Sequence, residues 1–128
     1  MEFGLVLPLL TLVLLGMADT GWIFYNHGVL TRAVRAGCRE GAVVDADGDP
    51  RSAAADAITQ RMSDWRYACP GGSLCEPEVT LVGDAQGRSV LSCTVAVPVA
   101  SLTGFVLPLE GVTLSSATRT YVENWESP

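Results

Sequence analysis

The chain has 128 residues, 14 acidic against 8 basic side chains, a formal net charge of −6 and 48% hydrophobic residues. That length is one domain with room for an appendage. Every basic residue is an arginine, and the acidic balance excludes a nucleic-acid binder, which needs clustered cations against phosphate, and a surface built to dock on anionic lipid.

Phe3 to Ala18 reads FGLVLPLLTLVLLGMA, sixteen residues without a charge. This falls just short of the roughly 18–20 residues expected of a spanning helix. Asp19 interrupts it, and Trp22, Ile23, Phe24 and Tyr25 follow, an aromatic group of the sort that sits at a membrane–water interface. A secretory signal peptide would begin with a positive segment, whereas this chain begins Met1-Glu2, and no small-residue cleavage site closes the run. The run is therefore expected to be a retained N-terminal helix. It continues as an amphipathic one: Leu30, Val34 and Cys38 recur at i, i+4 and i+8, with Ile23 on nearly the same stripe. Arg32, Arg35 and Arg39 take another face. Gly37 and Gly41 weaken a helix intrinsically, so packing has to hold its last turns. A helix from about Glu2 to Gly41 would be about 60 Å long. Its apolar end must project from any domain of this size.

The remainder predicts a small head. Val43 to Asp49 is an acidic link ending in Asp49-Pro50, a helix cap followed by proline at the first helical position. A short helix is expected over Arg51 to Trp65, with Ala54, Ile58 and Met62 as its apolar stripe. Cys69 to Cys75 is a loop. Val79 to Val82 and Val90 to Val97 are strand-like, joined by a turn at Asp84-Ala85-Gln86-Gly87. Ser101 to Leu109 is an apolar connection holding Gly104 and Pro108, and Val112 to Val122 is a third strand. The expected fold is α+β: a long hydrophobic helix over residues 1–43, and a head over 44–128 with one short helix and a mostly antiparallel three-stranded sheet, packed on the distal half of the long helix.

Four cysteines suggest an oxidising compartment and allow three pairings. Their spacing contains no CxxC pair, so zinc is not expected. Strand alternation puts Leu91, Cys93, Val95 and Val97 on the face that covers the helix, and Cys38 lies on the helix's apolar stripe. The expected bridges are therefore Cys38–Cys93 and Cys69–Cys75. The alternative, Cys38–Cys69 with Cys75–Cys93, fits less well, because a hairpin turning at Gln86 sets Cys93 opposite Val79. Thiols packed as small hydrophobes are the third reading.

No catalytic constellation is visible. His27 is the only histidine, and no motif pairs it with an acid or a nucleophile. Asp45, Asp47, Asp49 and Asp56 mimic the spacing of a calcium loop. Pro50 occupies the glycine position, however, and Asp56 replaces the bidentate glutamate, so a solvated acidic link is the simpler reading. No enzyme, metal or cofactor is expected.

Several pieces of the first third carry a resemblance: Glu2-Phe3, Leu5-Val6-Leu7-Pro8, the acid and glycine at Asp19 and Gly21, and the segments Leu30-Thr31-Arg32-Ala33 and Arg39-Glu40-Gly41-Ala42. Together they resemble the start of TadE-like proteins, the pseudopilins of the tight-adherence (Tad, type IVc) pilus. Beyond residue 43 the likeness is architectural. The resemblance implies an inner-membrane precursor, a prepilin peptidase that cuts it, and an assembly machinery that packs its helix among identical subunits in an extracellular filament. It also places assembly contacts at Met1, Glu2, Phe3 and Pro8, although Glu2 stands closer to Met1 than the family's glutamate stands to its cleavage glycine. A carboxylate in hydrocarbon costs about 2.5–3.5 kcal/mol even on the lenient insertion scale, and the free N-terminal ammonium of a neighbouring subunit is its natural partner. A minor pseudopilin that primes or caps the pilus is the alternative. A membrane-anchored ectodomain binding a partner through Leu102, Phe105 and Leu107 is the reading from another class.

Overall fold

The computed structural model describes residues 3–44, 48–64, 75–100, 102–104 and 112–122. Five elements follow in chain order: α1 (Phe3–Ala42), α2 (Pro50–Asp64), β1 (Glu78–Gly83), β2 (Ser89–Val99) and β3 (Val112–Tyr121). The architecture is the expected α+β arrangement, a long helix with one short helix and a three-stranded antiparallel sheet in the order β1-β2-β3.

At 40 residues, α1 is about 60 Å long. Pro8 lies inside it, where its missing N–H leaves one carbonyl of the preceding turn without a helical donor. The second helix starts as its sequence dictates. Asp49 caps it, its carboxylate accepting from the Arg51 N–H at 3.1 Å and its carbonyl from the Ala53 N–H at 3.2 Å, and Pro50 fills the first helical position, where no N–H is required. Ala54, Ile58 and Met62 are buried, so one stripe of α2 faces inward.

The hairpin between β1 and β2 closes through Asp84 and Gly87. The Asp84 N–H donates to the Arg88 carbonyl and the Gly87 N–H to the Asp84 carbonyl, and Gly87 takes a positive φ of 76°, which suits glycine. The resulting register sets Val79 opposite Cys93. All three strands run slightly past or short of their expected ends. The largest extension is β2, which continues through Pro98 to Val99. That extension is possible because β1 pairs with β2 only as far as Thr94. Beyond it β2 has β3 alone as a partner, and a residue without an N–H fits on the open edge.

Along β2 the alternating Leu91, Cys93, Val95, Val97 and Val99 are buried, joined from β3 by Leu114. They close over Leu30, Ala33, Val34 and Cys38 of α1, and α2 supplies Ala54, Ile58 and Met62 to the same core. The helix is thus the centre of the head rather than a stalk attached to it.

Candidate assembly and membrane-facing helix

Two halves of α1 meet different surroundings. Val6, Leu7, Leu9, Leu10, Leu12, Val13, Leu14 and Met17 are all at least 45% exposed. Nothing in the chain's own described fold covers this stretch, and by length and composition the helix can cross a membrane. Trp22, Phe24 and Tyr25 extend the exposed apolar surface, and the Trp22 and Tyr25 rings stack with centroids 6.3 Å apart. The hydroxyls in this part of the helix are satisfied internally. Thr11 donates to the Leu7 carbonyl at 2.9 Å and Thr20 to the Gly16 carbonyl at 2.8 Å, so neither presents a bare polar group to an apolar medium.

The distal half is clamped. Cys38 on α1 is joined to Cys93 on β2 by a disulfide that spans 55 residues of sequence. Cys75 is also disulfide-bonded, and Cys69, its expected partner, lies outside the described residues. On the same half of α1, α2 approaches through glycines. A Cβ added at Gly37 would stand 2.4 Å from Ile58 Cγ1 and 2.9 Å from Ile58 N, and one added at Gly41 would stand 2.5 Å from Ala54 Cβ and 2.7 Å from the Pro50 carbonyl oxygen. These distances are far inside the ~3.5–4.0 Å of ordinary carbon contact. The two glycines therefore form the notch in which α2 sits. Arg61 of α2 also reaches Glu40 of α1 at 3.1 Å, but both side chains are about half exposed, and such a pair adds little stability.

Sequence reasoning missed the burial of Asp19 in this helix. Asp19 was expected to interrupt the apolar run, yet it is 1% exposed. Its carboxylate accepts from the Thr103 N–H at 2.9 Å and from the Thr103 hydroxyl at 2.5 Å. The head therefore covers α1 down to Asp19, further than the distal half assigned to it. The signal was present in the spacing. Asp19, Ile23, Asn26, Leu30 and Val34 fall on one face at i, i+4, i+7, i+11 and i+15, and buried Asn26 satisfies its amide by donating to the Trp22 carbonyl at 2.7 Å. The acid begins the inward stripe.

The other expected site residues divide by location. Pro8 lies within the exposed half of α1, and Leu102 is 58% exposed on the β2–β3 connection. Met1, Glu2, Phe105 and Leu107 fall outside the described residues, as does the side chain of Phe3. Of the aspartates weighed as a calcium loop, Asp49 has its carboxylate committed to the α2 cap, and Asp45 and Asp47 lie outside the described residues. Among the described residues, no group of three or more His, Cys, Asp or Glu side chains is placed to hold a metal ion.

A long helix, apolar and exposed at one end and built into a disulfide-tied head at the other, defines the class: a helix-borne head with an uncovered apolar helix end. Residues 1–39 match the model of the TadE-like protein family, nearly the whole of α1. In this segment the chain is similar to TadE-like proteins. No curated protein and no solved structure matches the chain.

Proposed function

We propose that the protein is a structural subunit of a Tad pilus, non-enzymatic, which polymerises with identical subunits through α1. The observation that carries this reading is the division of one helix into an uncovered apolar half and a half locked into the head. The uncovered half has two chemically equivalent ways to leave water: lipid around one helix, or sister helices around each other. Before assembly the first holds the chain in the inner membrane as a precursor for the prepilin peptidase and the assembly machinery. After assembly the second builds the filament core, with the heads outside.

Glu2 supplies the registry in this reading. Its carboxylate meets the N-terminal ammonium of the adjacent subunit, a pair that selects alignment more than it adds stability. Shearing of surface filaments, followed by mass spectrometry of their subunits, tests the proposal. The expected result is this chain as a principal component. Its retention in the membrane fraction, with none in sheared filaments, would remove the filament role and leave the minor pseudopilin or the anchored ectodomain.

A further inference from the structure

The head has a direction along α1. Cys93 of β2 is bonded to Cys38, and Thr103, just past the end of β2, is bonded to Asp19. The two helix positions are about 28 Å apart at 1.5 Å per residue. Hence β2 runs back along α1 toward its apolar end. Among the described residues of the sheet, the hairpin at Asp84–Gly87 lies at the far end from the uncovered helix and Leu102–Gly104 at the near end.

The exposed apolar band on α1 runs from Val6 to Tyr25. Twenty helical residues span about 30 Å, the thickness of a bilayer's hydrocarbon core. Asp19 lies six residues inside the aromatic end of that band, about 9 Å along the axis. A band placed to match the bilayer therefore carries whatever touches Asp19 below the level of Tyr25. The segment that touches it suits that depth. Leu102 is 58% exposed, Leu102-Thr103-Gly104 holds no charge, and both donors of Thr103 are spent on Asp19. Those donors would otherwise each need a partner in a medium without water. The same bonds cover the acid, so Asp19 no longer breaks the helix's uncharged outer surface, which then continues to Arg32.

We propose that Leu102–Gly104, a described part of the β2–β3 connection, is a second membrane contact. Leu102–Gly104 enters the interface of a phospholipid bilayer beside α1, and Asp19 is the positioning residue that holds it there. The unassembled subunit thus rests its head on the membrane with a fixed tilt, rather than standing off on a bare helix. The proposal rests on the membrane-inserted precursor described above and is independent of the filament role.

The test uses the full chain, oxidised, in phosphatidylcholine vesicles, with an environment-sensitive fluorophore on Leu102→Cys, Gln86→Cys or Leu12→Cys in turn. Peptide mapping of each variant checks that Cys38–Cys93 is intact. The expected result is quenching of the Leu102 probe by lipids carrying a shallow nitroxide, with an iodide quenching constant several-fold below that of the Gln86 probe. The Leu12 probe should respond to a deep nitroxide. Iodide access at Leu102 equal to that at Gln86, with Leu12 inserted, would overturn the loop contact alone and return Leu102 to a water-facing or protein-binding surface. Failure of Leu12 to insert would overturn the membrane reading of α1 as well.

Discussion

Replacement of Gly41 by alanine sets two physical effects against each other in one residue. Alanine is better than glycine inside a helix by about 0.8–1.0 kcal/mol, so an isolated α1 would gain stability. In the folded chain the new methyl would sit 2.5 Å from Ala54 Cβ, 2.7 Å from the Pro50 carbonyl oxygen and 2.8 Å from Ala54 Cα. None of these atoms can rotate away, so α2 must move outward by about 1 Å to restore ordinary contact. Overpacking of this kind costs typically ~1–3 kcal/mol, and α2 also fills the core with Ile58 and Met62. Gly41→Ala is therefore expected to destabilise the head by up to about 2 kcal/mol net. Gly37→Ala should behave similarly but less severely, since its nearest obstacle is the side-chain atom Ile58 Cγ1. Gly28→Ala meets nothing within 4 Å and should instead stabilise by up to about 1 kcal/mol. Thermal unfolding of the full chain in mild detergent, followed by circular dichroism, reads these as shifts of about 4 °C per kcal/mol. A rise in midpoint for Gly41→Ala equal to that for Gly28→Ala would refute the close-approach argument.

Other outcomes follow from the same geometry. Serine at both Cys38 and Cys93 opens a 55-residue separation and should cost about 4 kcal/mol on the chain-entropy model; chemical denaturation measures it, and non-reducing peptide mapping of the parent should recover the bridge. Thr103→Val removes one of the two donors to Asp19 and should cost about 1.5–3 kcal/mol, the range for hydrogen bonds to charged groups; an unchanged midpoint would mean the loop is not held through that bond. Glu2→Gln is expected to lower filament yield without altering head stability, read by shearing and by melting in parallel; normal yield would end the registry role. For Thr11→Val little effect on assembly is expected, since its hydroxyl already bonds within its own helix.

Where a residue's role is set by regular spacing, the sequence shows it. Leu30, Val34 and Cys38 on one period, and Leu91, Cys93, Val95 and Val97 on the other, define the two faces that meet in the core. Once the turn at Gln86 sets the register, Cys38 and Cys93 fall together. Asp49-Pro50 likewise announces the start of α2 by local chemistry alone. Asp19 was harder because its charge reads as the end of an apolar run, and its partner is a threonine 84 residues away whose own surroundings give no sign of it. The glycines failed for a related reason. Gly37 and Gly41 are legible as helix weaknesses, but that α2 makes them a notch depends on a contact between elements. The end of β2 depends in turn on where β1 stops, so a strand expected to end at Val97 continues through Pro98 where β1 no longer flanks it.

The internal bonds of α1 bear on how the same helix can serve two surroundings. In lipid there is no hydrophobic gain from bringing two helices together, and association depends on close packing and on polar groups that seek partners. Thr11 and Thr20 already have partners in their own helix, and Asp19 is bonded to Thr103. Bonded within the chain, those groups give a lone helix in the bilayer no polar reason to seek another. What remains to favour sister helices is shape. The exposed face formed by Val13, Gly16, Met17, Thr20, Gly21 and Phe24 sets small residues between larger ones, and that pattern rewards a neighbouring helix only at close approach. On the proposed filament reading, the Glu2 carboxylate would add a demand for a partner at the start of the helix. Polar groups bonded within the helix and that acid at its start would make the membrane a stable store of subunits and the filament tip the place where a stored subunit gains most.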